Sequence, residues 1–224
     1  MLLEELISMV APISCYVCGE KGVGLCPKCQ EAYLDFAPPR CYKCHKSTVQ
    51  HQVCVSCRSS VALQHLWVVT MYEDLAKELL HILKFECSAY ISKDISRIMA
   101  EILPILPPET LVCHVPTAPS RIRVRGYDQS KLIAKNLAKL KKLQYKDLIN
   151  RVSNSRQLGA SREKRFKQAK EAFKLKNLEL IKESKVLLVD DVTTSGATLE
   201  YIAKMLKNSG AKSVDAIVFA QALD

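Results

Sequence analysis

The stretch from Lys185 to Leu199 constrains the fold most, because it joins an apolar run to two acids and several hydroxyl residues. The apolar residues 186–189 are typical of a buried parallel strand, and a helical pattern resumes at Leu199. We therefore predict a strand, a tight loop and the N-terminus of a helix. Such a junction can hold an anion, since the first N–H groups of a helix have no internal partner and the helix dipole adds partial positive charge.

The polar residues of this stretch, residues 190–198, form what we name the acid-and-hydroxyl loop, and they indicate a ligand with both a phosphate and a ribose. Gly196 lets the backbone close around a phosphate, and four side chains offer hydroxyl donors: Thr193, Thr194, Ser195 and Thr198. Two carboxylates would repel that phosphate. We therefore expect Asp190 and Asp191 to accept hydrogen bonds from vicinal sugar hydroxyls, with a hydrated Mg²⁺ reducing the charge.

Strand and helix patterns alternate along the rest of the chain from residue 61. The predicted strands are 66–72, 111–115, 186–189 and 214–220, and the predicted helices are 74–84, 90–103, 131–140 and 199–207. This alternation predicts an α/β fold with a mostly parallel sheet covered on both faces, with ligands at the carboxyl ends of the strands. No apolar run is long enough to span a bilayer.

Eight of the ten cysteines come before residue 60 and form four CxxC pairs: Cys15 and Cys18, Cys26 and Cys29, Cys41 and Cys44, and Cys54 and Cys57. Two CxxC turns complete the tetrahedral site that Zn²⁺ prefers, so we predict structural zinc in a double zinc-ribbon module. The cysteines could pair in simple succession or in a crossed arrangement. His45 and His51 are interpreted as ordinary surface histidines, with a role as spare ligands as the alternative. We predict a module at 1–60, which begins with a short amphipathic helix, and an α/β domain at 61–224.

Positive charge is concentrated between residues 121 and 176, with 18 Lys and Arg against 4 Asp and Glu, an excess of 14 within a total of +10. The remainder of the chain is therefore acidic, and the segregation indicates a phosphate or polyanion partner; a solvated basic face is the alternative. If extended, Arg121, Arg123 and Arg125 would face one side, where guanidinium groups can pair with phosphate.

A polar, turn-rich stretch from residue 151 leads into a basic helix that contains Arg162, Lys164 and Arg165. These cations are further candidates for binding phosphate or single-stranded DNA. The stretch suits a lid over a reactive phosphate ester, or else a crossing on the surface.

The four CxxC pairs, the stretch 123–130, the region 157–165 and the acid-and-hydroxyl loop come in an order that resembles the ComF family of competence proteins. The loop itself resembles the phosphoribosyl pyrophosphate (PRPP) motif of type I phosphoribosyltransferases. The resemblance implies a zinc module joined to a phosphoribosyltransferase-like domain, and a role in handling incoming single-stranded DNA during natural transformation. It also implies a cytoplasmic protein beside DNA-uptake proteins at the inner membrane, with peripheral membrane association as an open alternative.

The resemblance also implies roles for single residues. Asp190 and Asp191 would contact ribose, and the 5′-phosphate would be bound by Thr193, Thr194, Ser195, Gly196, Ala197 and Thr198. The turn that contains Thr117 and Ala118 would take the pyrophosphate. Asp128 stands where relatives commonly show Asn, which adds a negative charge there. No general base is evident, but a good acceptor needs little activation. A catalytically active phosphoribosyltransferase acting on an unidentified nucleobase or amine is therefore the alternative function.

Overall fold

A computed structural model describes residues 13–85, 90–152 and 172–222. The strands in these ranges are β1 (Leu66–Met71), β2 (Leu111–His114), β3 (Gln144–Tyr145), β4 (Ile149–Arg151), β5 (Phe173–Leu175), β6 (Lys185–Thr193) and β7 (Ser213–Gln221). The α-helices in the same ranges are α1 (Pro27–Tyr33), α2 (Val55–Arg58), α3 (Asp74–Phe85), α4 (Ile91–Ile102), α5 (Pro119–Arg125), α6 (Gln129–Leu140), α7 (Leu178–Ile181) and α8 (Ala197–Asn208). A 3₁₀ turn covers Val49–His51.

Five strands form one sheet in the order β1-β7-β6-β2-β3, and every neighbouring pair in it is parallel. The predicted mostly parallel sheet is therefore confirmed. Strand β6 lies in the centre and pairs with parallel β2 up to Val189 opposite His114, so the carboxyl ends of the two strands lie at the same edge of the sheet. The loops that follow β2 and β6 are consequently neighbours, as the fold class predicts for a ligand site.

Strand β6 is longer than its apolar core. The sequence pattern predicts a strand that ends at Val189, whereas the strand continues through both acids to Thr193. Neighbouring β7 sustains the parallel ladder to this point, with Thr193 opposite Gln221. The helix that follows begins at Ala197 instead of Leu199, so only residues 194–196 separate strand from helix.

Helices cover both faces of the sheet. On one face, α3, α4 and α6 contribute fully buried residues such as Leu79, Ile95 and Ile133, which pack with Leu187 and Phe219 of the sheet. The periodic apolar positions of these helices explain the packing, because each helix turns one apolar stripe toward the strands.

The opposite face is covered mainly by α8, whose buried residues Leu199, Ile202 and Leu206 pack with Leu188 and Val218. Burying apolar surface on both sides of a central strand is the main stabilising contribution in such a sheet. The cysteine-rich segment contacts both faces, since Cys15 belongs to the first buried cluster and Cys41 to the second.

Strands β4 and β5 form a separate antiparallel pair, with Arg151 opposite Phe173. Residues 153–171, which connect them, lie outside the described residues, as do residues 1–12. The predicted N-terminal amphipathic helix and the predicted basic helix therefore remain predictions, and so does the domain division at residue 60. None of the helices in the described ranges has both the length and the hydrophobicity needed to cross a membrane.

Candidate PRPP site and cysteine clusters

The two acids at the end of β6 have different partners. An oxygen of Asp190 accepts a hydrogen bond from the Ser130 hydroxyl at 2.8 Å and another from the Asp191 backbone N–H at 2.9 Å. The Asp191 carboxylate lies 2.8 Å from the ammonium group of Lys84, and both side chains are largely buried. Gln129 donates a longer hydrogen bond of 3.4 Å to the same carboxylate. Helices α3 and α6 thus supply the groups that hold the two acids.

These surroundings give the two carboxyl groups opposite pKa shifts. Burial raises the pKa of Asp190 well above its ordinary value, and the neighbouring charge of Asp191 adds to the effect. Burial also acts to raise the pKa of Asp191, but the ammonium group of Lys84 outweighs it and the pKa is lowered. The pair therefore holds one firmly ionised carboxylate, and the second readily takes a proton.

The hydroxyl part of the acid-and-hydroxyl loop forms the N-terminus of α8. The buried Thr193 accepts a hydrogen bond at its hydroxyl from the Gly196 N–H at 3.2 Å. Gly196 has φ +72, a left-handed conformation that glycine adopts without strain. Thr194 and Ser195 are exposed, and Thr198 is partly exposed. Exposed hydroxyls beside the N–H groups of a helix N-terminus form a surface suited to a phosphate.

The turn after β2 is held by Asp128, the residue that precedes α6. Its carboxylate accepts hydrogen bonds from the Thr117 N–H at 2.9 Å and from the Thr117 hydroxyl at 3.0 Å. It also caps α6 by accepting from the N–H of Lys131. Ala118 precedes α5 and is buried. Asp128 therefore fixes the turn that the resemblance to phosphoribosyltransferases implies as the pyrophosphate site.

A buried histidine extends this network. His114, at the end of β2, lies with Nε2 3.6 Å from the Asp128 carboxylate, and its Nδ1 is hydrogen bonded to the Tyr145 hydroxyl at 2.9 Å. Burial lowers the pKa of His114 below its ordinary value of 6.5, although Asp128 and Asp147 oppose the shift. The folded protein therefore favours the neutral imidazole.

We expect His114 to lower the free energy of unfolding as the pH is lowered below about 6.5, against an opposite contribution from Asp190, whose pKa is raised in the fold. Between the lowered pKa of folded His114 and its unfolded value, the unfolded chain binds one more proton, which costs up to about 1.4 kcal/mol per pH unit. Denaturant titrations from pH 7.5 to 5.0 measure this slope. His51 also has a pKa lowered by burial, so His114→Gln should reduce the slope without abolishing it. Equal slopes in both proteins would contradict this assignment.

The three arginines after β2 lie on a helix, which corrects the prediction that they extend along one side. Proline at the first position begins α5, and a helix rotates residues two apart to different faces. Arg121 and Arg123 are exposed, whereas Arg125 is buried with its guanidinium 5.2 Å from the centre of the Phe85 ring. The three do not form one cationic face. Arg162, Lys164 and Arg165 lie outside the described residues.

The eight N-terminal cysteines form two clusters. Their sulfur atoms lie within 4.8 Å of one another in each group, namely Cys15, Cys18, Cys26 and Cys29 in the first cysteine cluster and Cys41, Cys44, Cys54 and Cys57 in the second. The cysteines therefore group in simple succession and not in the crossed arrangement. Neither group among the described residues includes a histidine, so His45 and His51 are not among the ligands there.

The donor set of each cluster fits zinc. Four sulfur atoms at these separations match a tetrahedral Cys₄ site. A metal ion bound there would stabilise a segment that has little apolar core of its own. Burial opposes ionisation of Cys15, but backbone N–H groups from Cys26, Cys18 and Val17 outweigh it and lower its pKa to about 6. Hydrogen bonding to Ser56 is the largest influence that lowers the pKa of Cys54 to about 6. Each cluster thus has a thiol that ionises readily.

Several site residues could not have been found from the sequence. Lys84 lies on an amphipathic helix far along the chain from Asp191, and only the packing of α3 brings them together. Ser130 belongs to a motif that the sequence singles out, but nothing in the motif indicates that its hydroxyl bonds Asp190. The link from His114 to Asp128 likewise depends on how β2 and α6 meet.

The chain is similar to several known proteins. A family model described as "Phosphoribosyl transferase domain" matches residues 126–224, which include the whole acid-and-hydroxyl loop. "Competence protein ComFC" of Streptococcus pneumoniae is 25% identical over 193 residues, covering 85% of this chain and 84% of the relative. "Competence protein F" of Haemophilus influenzae is 26% identical over 211 residues, covering 89% of this chain and 91% of the relative. A solved glutamine PRPP amidotransferase from B. subtilis is 17% identical, with a TM-score of 0.44, over 62% of this chain and 30% of that chain.

Proposed function

We propose that this chain, which is similar to ComF competence proteins and has two four-cysteine clusters and a phosphoribosyltransferase-type domain, binds Mg²⁺-PRPP and handles single-stranded DNA during natural transformation. The observation that carries the proposal is the junction between β6 and α8. There, two acids, exposed hydroxyls and a helix N-terminus lie at the carboxyl edge of a parallel sheet.

The acidic residues of this junction bind the ribose, and its hydroxyl and N–H groups bind the phosphate. Asp190 and Asp191 accept hydrogen bonds from the ribose hydroxyls, and bound Mg²⁺ would offset negative charge on the pyrophosphate. Because Asp191 is paired with Lys84, a ribose hydroxyl must share or displace that ammonium group. Thr194, Ser195 and the first N–H groups of α8 bind the 5′-phosphate.

The pyrophosphate is bound in the turn after β2. Thr117 and Ala118 form this turn, which leads directly into α5. Asp128 already accepts hydrogen bonds from the N–H and the hydroxyl of Thr117, so the turn is held in one conformation before ligand arrives. Arg121 and Arg123 are exposed on α5, where their guanidinium groups are candidates for pairing with phosphate oxygens.

The proposed DNA-handling role is supported by charge and by the named relatives. The segment 121–176 carries an excess of 14 positive charges, which suits a phosphate backbone bound without regard to sequence. Two similar proteins are named competence proteins. We propose that the protein acts on the cytoplasmic side of the inner membrane, beside DNA-uptake proteins.

Ser195→Glu tests the ligand site. The side chain is exposed, so the fold should tolerate the change, whereas a carboxylate beside the 5′-phosphate should repel it. We expect at least about a tenfold increase in the Kd for Mg²⁺-PRPP, measured by calorimetry. The matched variant Ser195→Gln has a similar volume without the charge and should bind much more tightly than Ser195→Glu. Equal affinity of Ser195→Glu and wild type would remove the assignment.

The alternative is a working phosphoribosyltransferase, and the complete acid-and-hydroxyl loop is the observation that favours it. Transfer from PRPP requires a positioned nucleophile and stabilisation of the departing pyrophosphate, and a good acceptor needs little further activation. Pyrophosphate release should therefore be followed in Mg²⁺-PRPP with and without single-stranded DNA and with candidate nucleobases and amines. Binding without release would favour PRPP as a ligand, and release that requires an acceptor would identify the transferase.

A further inference from the structure

The aromatic ring of Tyr42 lies against Gly196, the glycine that immediately precedes α8. A Cβ atom on Gly196 would lie 3.0 Å from Cδ2 of Tyr42 and 3.6 Å from Cδ2 of Leu66. Tyr42 is buried and directly follows Cys41, a fully buried member of the second cysteine cluster. The side chain of Tyr42 thus connects the second cysteine cluster with the loop proposed to bind the 5′-phosphate.

The hydroxyl group of the same tyrosine reaches the first turn of α8. It donates a hydrogen bond of 2.6 Å to the carboxylate of Glu200. Glu200 also accepts from the backbone N–H groups of Ala62 at 2.9 Å and Leu63 at 3.2 Å, which belong to the segment that joins the second cysteine cluster to β1. A carboxylate in the first turn is favourable to the helix dipole, so these bonds anchor the end of α8 that faces the ligand.

We propose that Tyr42 is a positioning residue for the phosphate site, and that it couples metal binding in the second cysteine cluster to PRPP affinity. The proposal rests on the proposed function for its ligand. The cysteine cluster holds Cys41, the adjacent tyrosine packs on Gly196 and bonds Glu200, and the N–H groups of α8 are held where a phosphate can use them. Loss of the metal should release this contact and loosen the loop.

The first cysteine cluster provides an internal comparison. Its neighbouring Gly24 lies against α4, where a Cβ atom would be 2.7 Å from a carboxylate oxygen of Asp94, and the Gly24 N–H donates to that carboxylate at 3.1 Å. Helix α4 packs on the face of the sheet opposite to α8. Metal loss from the first cysteine cluster should therefore leave the conformation of the acid-and-hydroxyl loop unchanged. Coupling between metal binding and PRPP affinity should be specific to the second cysteine cluster.

Hydrogen exchange on the full-length zinc-loaded protein tests the positioning without any ligand. The Glu200 amide donates a hydrogen bond to the Gly196 carbonyl, and Tyr42→Ala should accelerate its exchange by at least about tenfold. Exchange of the amides in the middle of β7 should change little. Tyr42→Phe keeps the ring on Gly196 and loses only the bond to Glu200, so its effect should be smaller. Uniform acceleration across the chain, or none at α8, would overturn the proposal.

Zinc release tests the coupling from the other side. By reciprocity, saturating Mg²⁺-PRPP should raise the affinity of one zinc site, and so protect it in equilibrium competition with a chromophoric chelator, and leave the other site unaffected. Glu200→Gln, which lies far along the chain from the cysteines, should weaken that protection and raise the Kd for Mg²⁺-PRPP. If Tyr42→Ala loses zinc during purification, hydrogen exchange at the N-terminus of α8 is measured in Glu200→Gln instead. Faster exchange in that variant would then support the positioning role. A wild type that does not bind PRPP would refute the proposed function, while the exchange data would still decide the positioning.

Discussion

Asp191→Asn is expected to lower the free energy of unfolding by about 3 to 5 kcal/mol, because it leaves the buried ammonium of Lys84 without its counter-charge. The side chains of the pair are only 13% and 7% exposed, and the charged atoms lie 2.8 Å apart. Desolvating a single charge is far more costly than desolvating a pair with good geometry. Denaturant unfolding at pH 7 measures the loss directly.

The double variant Lys84→Met with Asp191→Asn should recover most of that loss, since it removes both charges and keeps similar volumes. An exposed pair offers the matched comparison, as Lys185 lies 2.9 Å from Glu109 with side chains 32% and 60% exposed. Glu109→Gln should leave stability nearly unchanged, because solvent screens such a pair. If Asp191→Asn costs no more than Glu109→Gln, the buried pair is not the structural element inferred here.

Replacing Arg162, Lys164 and Arg165 together with Glu is expected to abolish single-stranded DNA binding at physiological salt. Three attractive contacts with phosphate become three repulsive ones, and each lost contact also reduces the salt dependence of log K by about 0.7. We expect a loss of at least about 100-fold in affinity at low salt. Fluorescence anisotropy with a labelled oligonucleotide, measured over a range of salt concentrations, gives both quantities.

A control with the same change in net charge separates local from general electrostatics. Lys28, Lys77 and Lys93 are exposed and lie outside the basic segment, and their joint replacement with Glu should weaken DNA binding far less. Equal losses in the two triple variants would show that net charge alone attracts the oligonucleotide, and would contradict a binding site in residues 153–171.

The strand-to-helix junction and the cysteine clusters were predictable because their pattern is local in the chain. CxxC spacing brings two thiols to one ion with little help from the remainder of the fold. An apolar run followed by acids, hydroxyls and glycine also marks a strand-to-helix junction within some fifteen consecutive residues, from Lys185 to Leu199. The alternating patterns likewise predicted the parallel sheet that the strand order confirms.

The predictions that failed depended on hydrogen bonding between distant segments or on local conformation at a proline. Strand β6 continues past Val189 because β7 remains beside it to Gln221. Arg121, Arg123 and Arg125 would share one side if the loop were extended, but Pro119 begins a helix there. Alternation in sequence gives one face only when the backbone is extended.

The order of residues alone determined the thiol pairs, the acids and hydroxyls of the loop, and the alternation of strands and helices. Folding decided which groups those residues meet: Lys84 for Asp191, Ser130 for Asp190, and Tyr42 for the glycine at the start of α8. The physical reason is that spacing along the chain governs contacts within one element, whereas contacts between elements depend on which apolar faces pack together and at what register.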